Sequence, residues 1–225
     1  MTQDPNRDNL ERVVEALGDI IDELMLVGGS AIGPLITDPA RPPVRPTLDV
    51  DLVAEVAALT DYYSLSARLR HRGFVEGELV CRWHKEHLIV DVLPTDGAVL
   101  GFSNQWYASA VAHAQTIRLV SGRPIRIIDP AHLLATKIEA FHQRGGGDHL
   151  HHDIEDLVTL IDGRPTIADE VLAAPDSVRR YLQDELGSLL ANPDFVDRMS
   201  GHLGSTEHRG RKDIVLARMR KIVGG

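Results

Sequence analysis

The sequence predicts an α+β protein, with a mixed β-sheet and flanking helices over residues 1–128 and a helical bundle over residues 129–225. Three observations predict it. Short apolar runs bounded by turn residues, such as Leu24–Val27, Leu48–Val53 and Leu88–Leu93, recur through the first half. Beyond Asp129-Pro130 the apolar residues recur at helical spacing instead. The chain has 225 residues, 43% of them apolar, enough for one large or two small domains with a real core.

Taken in order, Leu10, Val13, Val14, Leu17, Ile20, Ile21 and Leu24 give an amphipathic helix over 8–24. Leu24–Val27 is a strand that runs into the turn Gly28-Gly29-Ser30, and Ala31–Ile36 starts a helix. Residues 38–46 carry four prolines, which lack the donors a helix or central strand needs, so they form a loop. Leu48–Val53 is a strand, Thr60–Arg72 a helix, and Phe74–Cys81 and Leu88–Leu93 two further strands. Extended pieces at Thr116–Val120 and Ile125–Ile128 complete the first half, and helices follow at about 131–144, 150–162, 175–190 and 211–223.

Composition excludes several classes. One cysteine, Cys81, rules out an internal disulfide framework. Met1–Asp8 has no apolar run, and no stretch approaches the ~20 apolar residues that span a bilayer. The expectation is a soluble cytoplasmic protein with no membrane partner. A formal charge of −9 argues against a nonspecific nucleic-acid coat. The basic run from His208, Arg209, Arg211 and Lys212 to Arg218, Arg220 and Lys221 reads first as a solvated helix face.

Asp49 and Asp51 carry the first chemical signal. Two apart in a strand, they point to one face, where like charges repel unless a cation lies between them. A divalent metal supplies that charge, and hard oxygen donors favour Mg²⁺, with Mn²⁺ as the substitute. Asp91 interrupts the apolar run Leu88–Leu93, where an unpartnered carboxylate is costly. If its strand neighbours that of Asp49 and Asp51, three carboxylates converge on a metal site. Two ions ~3.5–4 Å apart then clamp the attacking and leaving oxygens of an in-line phosphoryl displacement. Gly28, Gly29 and Ser30 let backbone approach a phosphate closely. Rival motifs fail: the hydrolase elbow needs glycine where Ile32 stands, and neither the Walker loop nor the dinucleotide fingerprint occurs.

Two helices of the second half carry charges on apolar faces. Lys137 falls between Leu133 and Phe141, and Asp153 lies within the stripe of Ile154, Leu157, Val158 and Ile161. Asp156 falls just outside that stripe. The pair reads either as groups facing a catalytic sheet or as an ordinary buried salt bridge. Five of the eleven histidines lie between His132 and His152. The run His149, His151, His152 lacks defined zinc spacing and reads as a solvated loop.

The order Gly29-Ser30, loop, Asp49-x-Asp51, strand Asp91 resembles the polymerase-β-type nucleotidyltransferase superfamily. Arg45–Asp51, Asp129–Ala140 with Lys137, Arg144, and Asp153–Leu157 resemble the AbiEii-type nucleotidyltransferases, toxins of type IV toxin–antitoxin systems. The likeness spans residues 20–162. It implies that Gly28, Gly29, Ser30 and Arg45 bind the nucleotide and that Asp49, Asp51 and Asp91 hold the metals. It further implies that Lys137 contacts the triphosphate and that Asp153 is an acid or base of the site. Two departures are visible: eighteen residues separate Ser30 from Asp49, and histidines lead into Asp153.

The resulting expectation is a Mg²⁺-dependent enzyme moving NMP from an NTP to an acceptor hydroxyl. The toxin resemblance implies tRNA as acceptor and a cognate antitoxin as partner. The alternatives are a small-molecule (aminoglycoside-type) nucleotidyltransferase and a nucleotide-binding module without turnover.

Overall fold

The computed structural model describes residues 4–56, 58–203 and 210–225. The chain divides into two compact units, one of Asp4–Gly33 with Arg45–Asp129 and one of Pro34–Val44 with Pro130–Gly225.

The first unit is built on a seven-stranded mixed sheet. Its strands are β1 (Leu24–Val27), β2 (Asp49–Ala54), β3 (Val75–Glu76), β4 (Arg82–Lys85), β5 (Leu88–Pro94), β6 (Gln115–Arg118) and β7 (Pro124–Ile127). Their order across the sheet is β3-β4-β5-β2-β1-β7-β6. The β2–β5 and β1–β7 pairs are parallel, and the remaining neighbours are antiparallel. Every residue of β1 is buried, as a central strand covered on both faces requires.

Helix α1 (Arg7–Leu17) buries Leu10, Val13, Val14 and Leu17. The predicted helix over 8–24 ends early because Gly18 takes φ 61°, ψ −123°. That left-handed backbone angle favours glycine, and a Cβ there would also push the flexible Arg72 guanidinium aside. The chain continues through Gly18–Glu23 as 3₁₀ turns that still bury Ile20 and Ile21. After β1, Gly29–Ala31 forms a 3₁₀ turn and α2 (Ile32–Leu35) is only four residues long. Helix α3 (Leu59–His71) matches its prediction within a residue at each end. Two short helices, α4 (Gly97–Leu100) and α5 (Tyr107–Ala112), lie where none was expected.

The predicted strand Phe74–Cys81 is mostly turn. Only Val75 and Glu76 pair, and Gly77 N–H then donates to Arg82 C=O at 2.7 Å. Val75, Leu79 and Val80 are more than half exposed, so their apolar pattern does not mark a buried face. The pairing strand begins at Arg82.

The second unit holds α6 (Pro130–Arg144), α7 (His152–Gly163), α8 (Ile167–Leu172), α9 (Asp176–Ala191), α10 (Pro193–Arg198) and α11 (Arg211–Val223). Leu133, Leu134, Leu157, Val158, Leu182, Leu186, Val215 and Met219 form its core. The proline-rich loop as far as Val44 belongs to this unit and is pinned by a buried arginine. Arg41 donates to Pro42 and Pro43 carbonyls and, at 2.6 Å, to Thr159 Oγ1 of α7. The C-terminal basic run is partly taken up inside the same unit. Arg211 pairs with Asp162 and Asp38, Arg218 donates to the carbonyls of Ile161 and Asp162, and Lys221 pairs with Asp169. His208 and Arg209 lie outside the described residues. No helix among the described residues is long and apolar enough to cross a membrane.

Candidate active site

Strand register builds an acidic row across the sheet unit. Asp51 of β2 lies beside Asp91 of β5 in the parallel ladder, and Val27 of β1 lies on its other side. Asp49, two residues before Asp51, shares its face. Ligand-capable atoms of Asp49, Asp51 and Asp91 all lie within 4.8 Å of one another. Asp91 is buried, and Asp49 and Asp51 are half-buried, so the row opens to solvent at one end. Three convergent carboxylates are a hard, all-oxygen donor set of the kind that can hold a divalent cation.

The turn after β1 explains its glycines. Gly28 adopts φ 68°, and a Cβ there would overlap the Asp51 carboxylate. Both the backbone angle and the space therefore demand glycine. Ser30 is buried and its Oγ donates to the Asp49 carbonyl at 3.0 Å. That hydroxyl fixes the start of β2 against the turn. Thr47 Oγ1 donates to Asp49 Oδ1 at 2.8 Å, and Thr47 N–H donates to buried Asn6 Oδ1 at 2.8 Å. Asn6 Nδ2 closes the clasp by donating to the Arg45 carbonyl at 3.0 Å.

Arg82 completes the row. It is the antiparallel partner of Asp91. Its Nε and Nη2 donate to the two Asp91 oxygens at 2.8 and 2.7 Å, and Nη2 also donates to Asp49 Oδ2 at 2.7 Å. These hydrogen bonds to Asp91 outweigh burial and move the guanidinium further above its ordinary range. Neighbouring Cys81 is no nucleophile: burial, with the charge of Asp91, pushes its thiol up to about 11, leaving little thiolate at neutral pH.

A second charged cluster lies in the helical unit. Lys137 Nζ pairs with Asp156 Oδ2 at 2.6 Å and Asp153 Oδ1 at 3.4 Å, and all three residues are buried. Arg144 grips Asp153 with two bonds, Nε to Oδ2 at 2.8 Å and Nη2 to Oδ1 at 2.9 Å. Burial raises the Asp153 carboxyl, but the Arg144 hydrogen bond and the Lys137 and Arg144 charges prevail and hold it below the usual carboxylate range. His151 Nδ1 caps α7 by accepting from Asp153 N–H, and His152 Nε2 lies 3.7 Å from Asp153 Oδ2. His151, His152 and Asp153 also have metal-compatible spacing, and both Asp153 oxygens accept from Arg144. His149, the first histidine of the run, is buried rather than solvated as expected: it stacks on Phe141 and pairs with Asp194.

No family model matches the chain, and no curated protein matches it. Among solved structures it is similar to an antigenic nucleotidyltransferase-like protein from Paracoccidioides brasiliensis. The identity is 21% and the TM-score 0.53, over 89% of this chain and 96% of that one. The fold is nucleotidyltransferase-like.

Within the nucleotidyltransferase-like sheet, the sequence-predicted residues Gly28, Gly29, Ser30, Asp49, Asp51 and Asp91 come together, with Arg45 two residues before Thr47. Lys137 and Asp153 adjoin each other in the helical unit. Sequence reasoning missed Arg82, Thr47 and Asn6. A signal for Arg82 exists: Arg82 to Lys85 and Leu88 to Asp91 form a hairpin around Glu86-His87, and that register sets Arg82 opposite Asp91. The likeness supports the nucleotidyltransferase-like fold and does not single out the AbiEii-type toxins.

Proposed function

We propose that this chain is a Mg²⁺-dependent nucleotidyltransferase that moves NMP from an NTP to an acceptor hydroxyl. The observation that carries the reading is the acidic row itself: three carboxylates from two adjacent parallel strands, within 4.8 Å at their ligand atoms, beside a turn that only glycine can make. Asp49, Asp51 and Asp91 would hold the divalent cation, which when bound supplies Lewis-acid stabilisation of charge on the phosphoryl oxygens. The Gly28-Gly29-Ser30 turn seats the phosphates through its backbone, and Ser30 and Thr47 keep Asp49 in position. Asp91 accepts the proton of the attacking hydroxyl. The acceptor oxygen bonds to the α-phosphorus, the α–β bridging bond breaks, and pyrophosphate leaves with the electron pair. Such catalysis is mainly positioning and electrostatic stabilisation.

The toxin reading, with tRNA as acceptor and a cognate antitoxin, follows the resemblance to AbiEii-type enzymes. A small-molecule acceptor is the second reading, favoured by one observation. Arg211 and Arg218, which a basic RNA track needs, are engaged within the helical unit. α-Labelled NTPs offered first with total RNA and then with small hydroxyl compounds separate the two. An RNA acceptor predicts transfer that falls steeply between about 50 and 200 mM salt, and a small acceptor predicts little change. No incorporation into either leaves a binding module. The phosphate contact implied for Lys137 is tested by Lys137→Met. A folded variant with lost turnover supports it, and lost stability with retained turnover assigns Lys137 to the fold.

A further inference from the structure

The acidic row already holds a cation of its own. Asp91 Oδ1 and Oδ2 accept from Arg82 Nε and Nη2, and Asp49 Oδ2 accepts from the same Nη2. Asp49 Oδ1 accepts from Thr47 Oγ1. All four oxygens of these two carboxylates thus carry a hydrogen bond, three of them from one guanidinium. An arriving divalent cation meets that positive charge across the same oxygens, and like charges at one site oppose each other. Arg82 is not sealed in: its side chain is 27% exposed, against 11% for Asp91. It can leave without opening the core. A guanidinium released from a carboxylate finds an equivalent bidentate partner in a phosphate, and an NTP brings three.

We propose that Arg82 holds Asp49 and Asp91 before metal binds and exchanges them for the triphosphate when the nucleotide arrives. The proposal rests on the metal-dependent reading above and deepens it. Arg82 makes metal binding conditional on nucleotide, so the site binds a bare divalent cation weakly and the metal–nucleotide pair strongly. Once exchanged, Arg82 offsets the charge of the departing pyrophosphate.

The test is calorimetric titration of the full chain with Mn²⁺ alone, for wild type, Arg82→Gln and Arg82→Lys. Arg82→Gln is expected to bind Mn²⁺ about tenfold tighter than wild type, and Arg82→Lys, a point charge without the fork, to fall between. With Mg²⁺ as activator, Arg82→Gln is also expected to raise KM for NTP. Equal or weaker Mn²⁺ binding by both variants, with binding abolished in Asp51→Asn, overturns the exchange and leaves the metal site standing. Absence of Mn²⁺ binding in all of them overturns the exchange and the metal reading together. A wild-type readout covers the case in which Arg82→Gln does not fold: the Arg82 Nε–H resonance. It is expected to shift when Mg²⁺ and a non-hydrolysable NTP are added together and to stay in place with Mg²⁺ alone. A resonance that stays put under saturating metal–nucleotide contradicts the exchange.

Discussion

Asp51→Asn is expected to lower nucleotidyl transfer by about 10²–10³-fold, the range seen when one preorganised electrostatic contact is removed. Asparagine keeps the volume that faces Gly28 and removes only the negative charge. Asp51 is half-buried at an open end of the sheet, so its substitution disturbs no apolar packing. The pairing of loss and retention is the diagnostic: initial rates at saturating NTP and Mg²⁺ collapse while the melting curve stays in place. A variant with rates within a few-fold of wild type removes Asp51 from the metal site.

The second large effect is on stability and belongs to the helical unit. Asp153→Ala is expected to destabilise the fold by about 3 kcal/mol, the lower end for breaking a buried ion pair. The lower end applies because Lys137 keeps Asp156 at 2.6 Å and the Arg144 side chain, 57% exposed, can turn to water. A shift of the urea midpoint without a change in slope measures it. The pH dependence has a fixed sign. The folded carboxyl of Asp153 sits below its ordinary value, so its contribution is full above the unfolded pKa, near 3.9, and is lost as pH falls through the folded value. Wild type and Asp153→Ala should therefore converge in stability in acid and differ most near neutrality.

How much of this was legible in the sequence differs from residue to residue. Asp91 was legible because a carboxylate in a continuous apolar run has to be compensated, and β5 does lie beside β2. Gly28 was legible as a turn. The contact that makes glycine obligatory, with Asp51, comes from pairing across strands and has no local signature. Arg82 escaped because its hairpin turns on Glu86-His87, where Glu86 takes φ 55° without the glycine or asparagine that usually marks such a turn. With β4 unseen, the apolar Val75, Leu79 and Val80 read as a strand. Lys137 was placed correctly on the buried face of α6. The helical wheel left Asp156 at the margin of α7, yet Asp156 is 2% exposed and makes the shorter bond to Lys137. Periodicity gives a direction for each side chain but not the partner at the end of it.

The measurement that bears most directly on the metal-dependent reading is anomalous diffraction at the manganese edge, from crystals grown with Mn²⁺ and a non-hydrolysable NTP. The account predicts a peak bounded by Asp49, Asp51 and Asp91, with the Arg82 guanidinium moved off Asp49 and Asp91 onto phosphate. Density showing the nucleotide bound, no peak between the carboxylates and Arg82 still bridging Asp49 and Asp91 would contradict it.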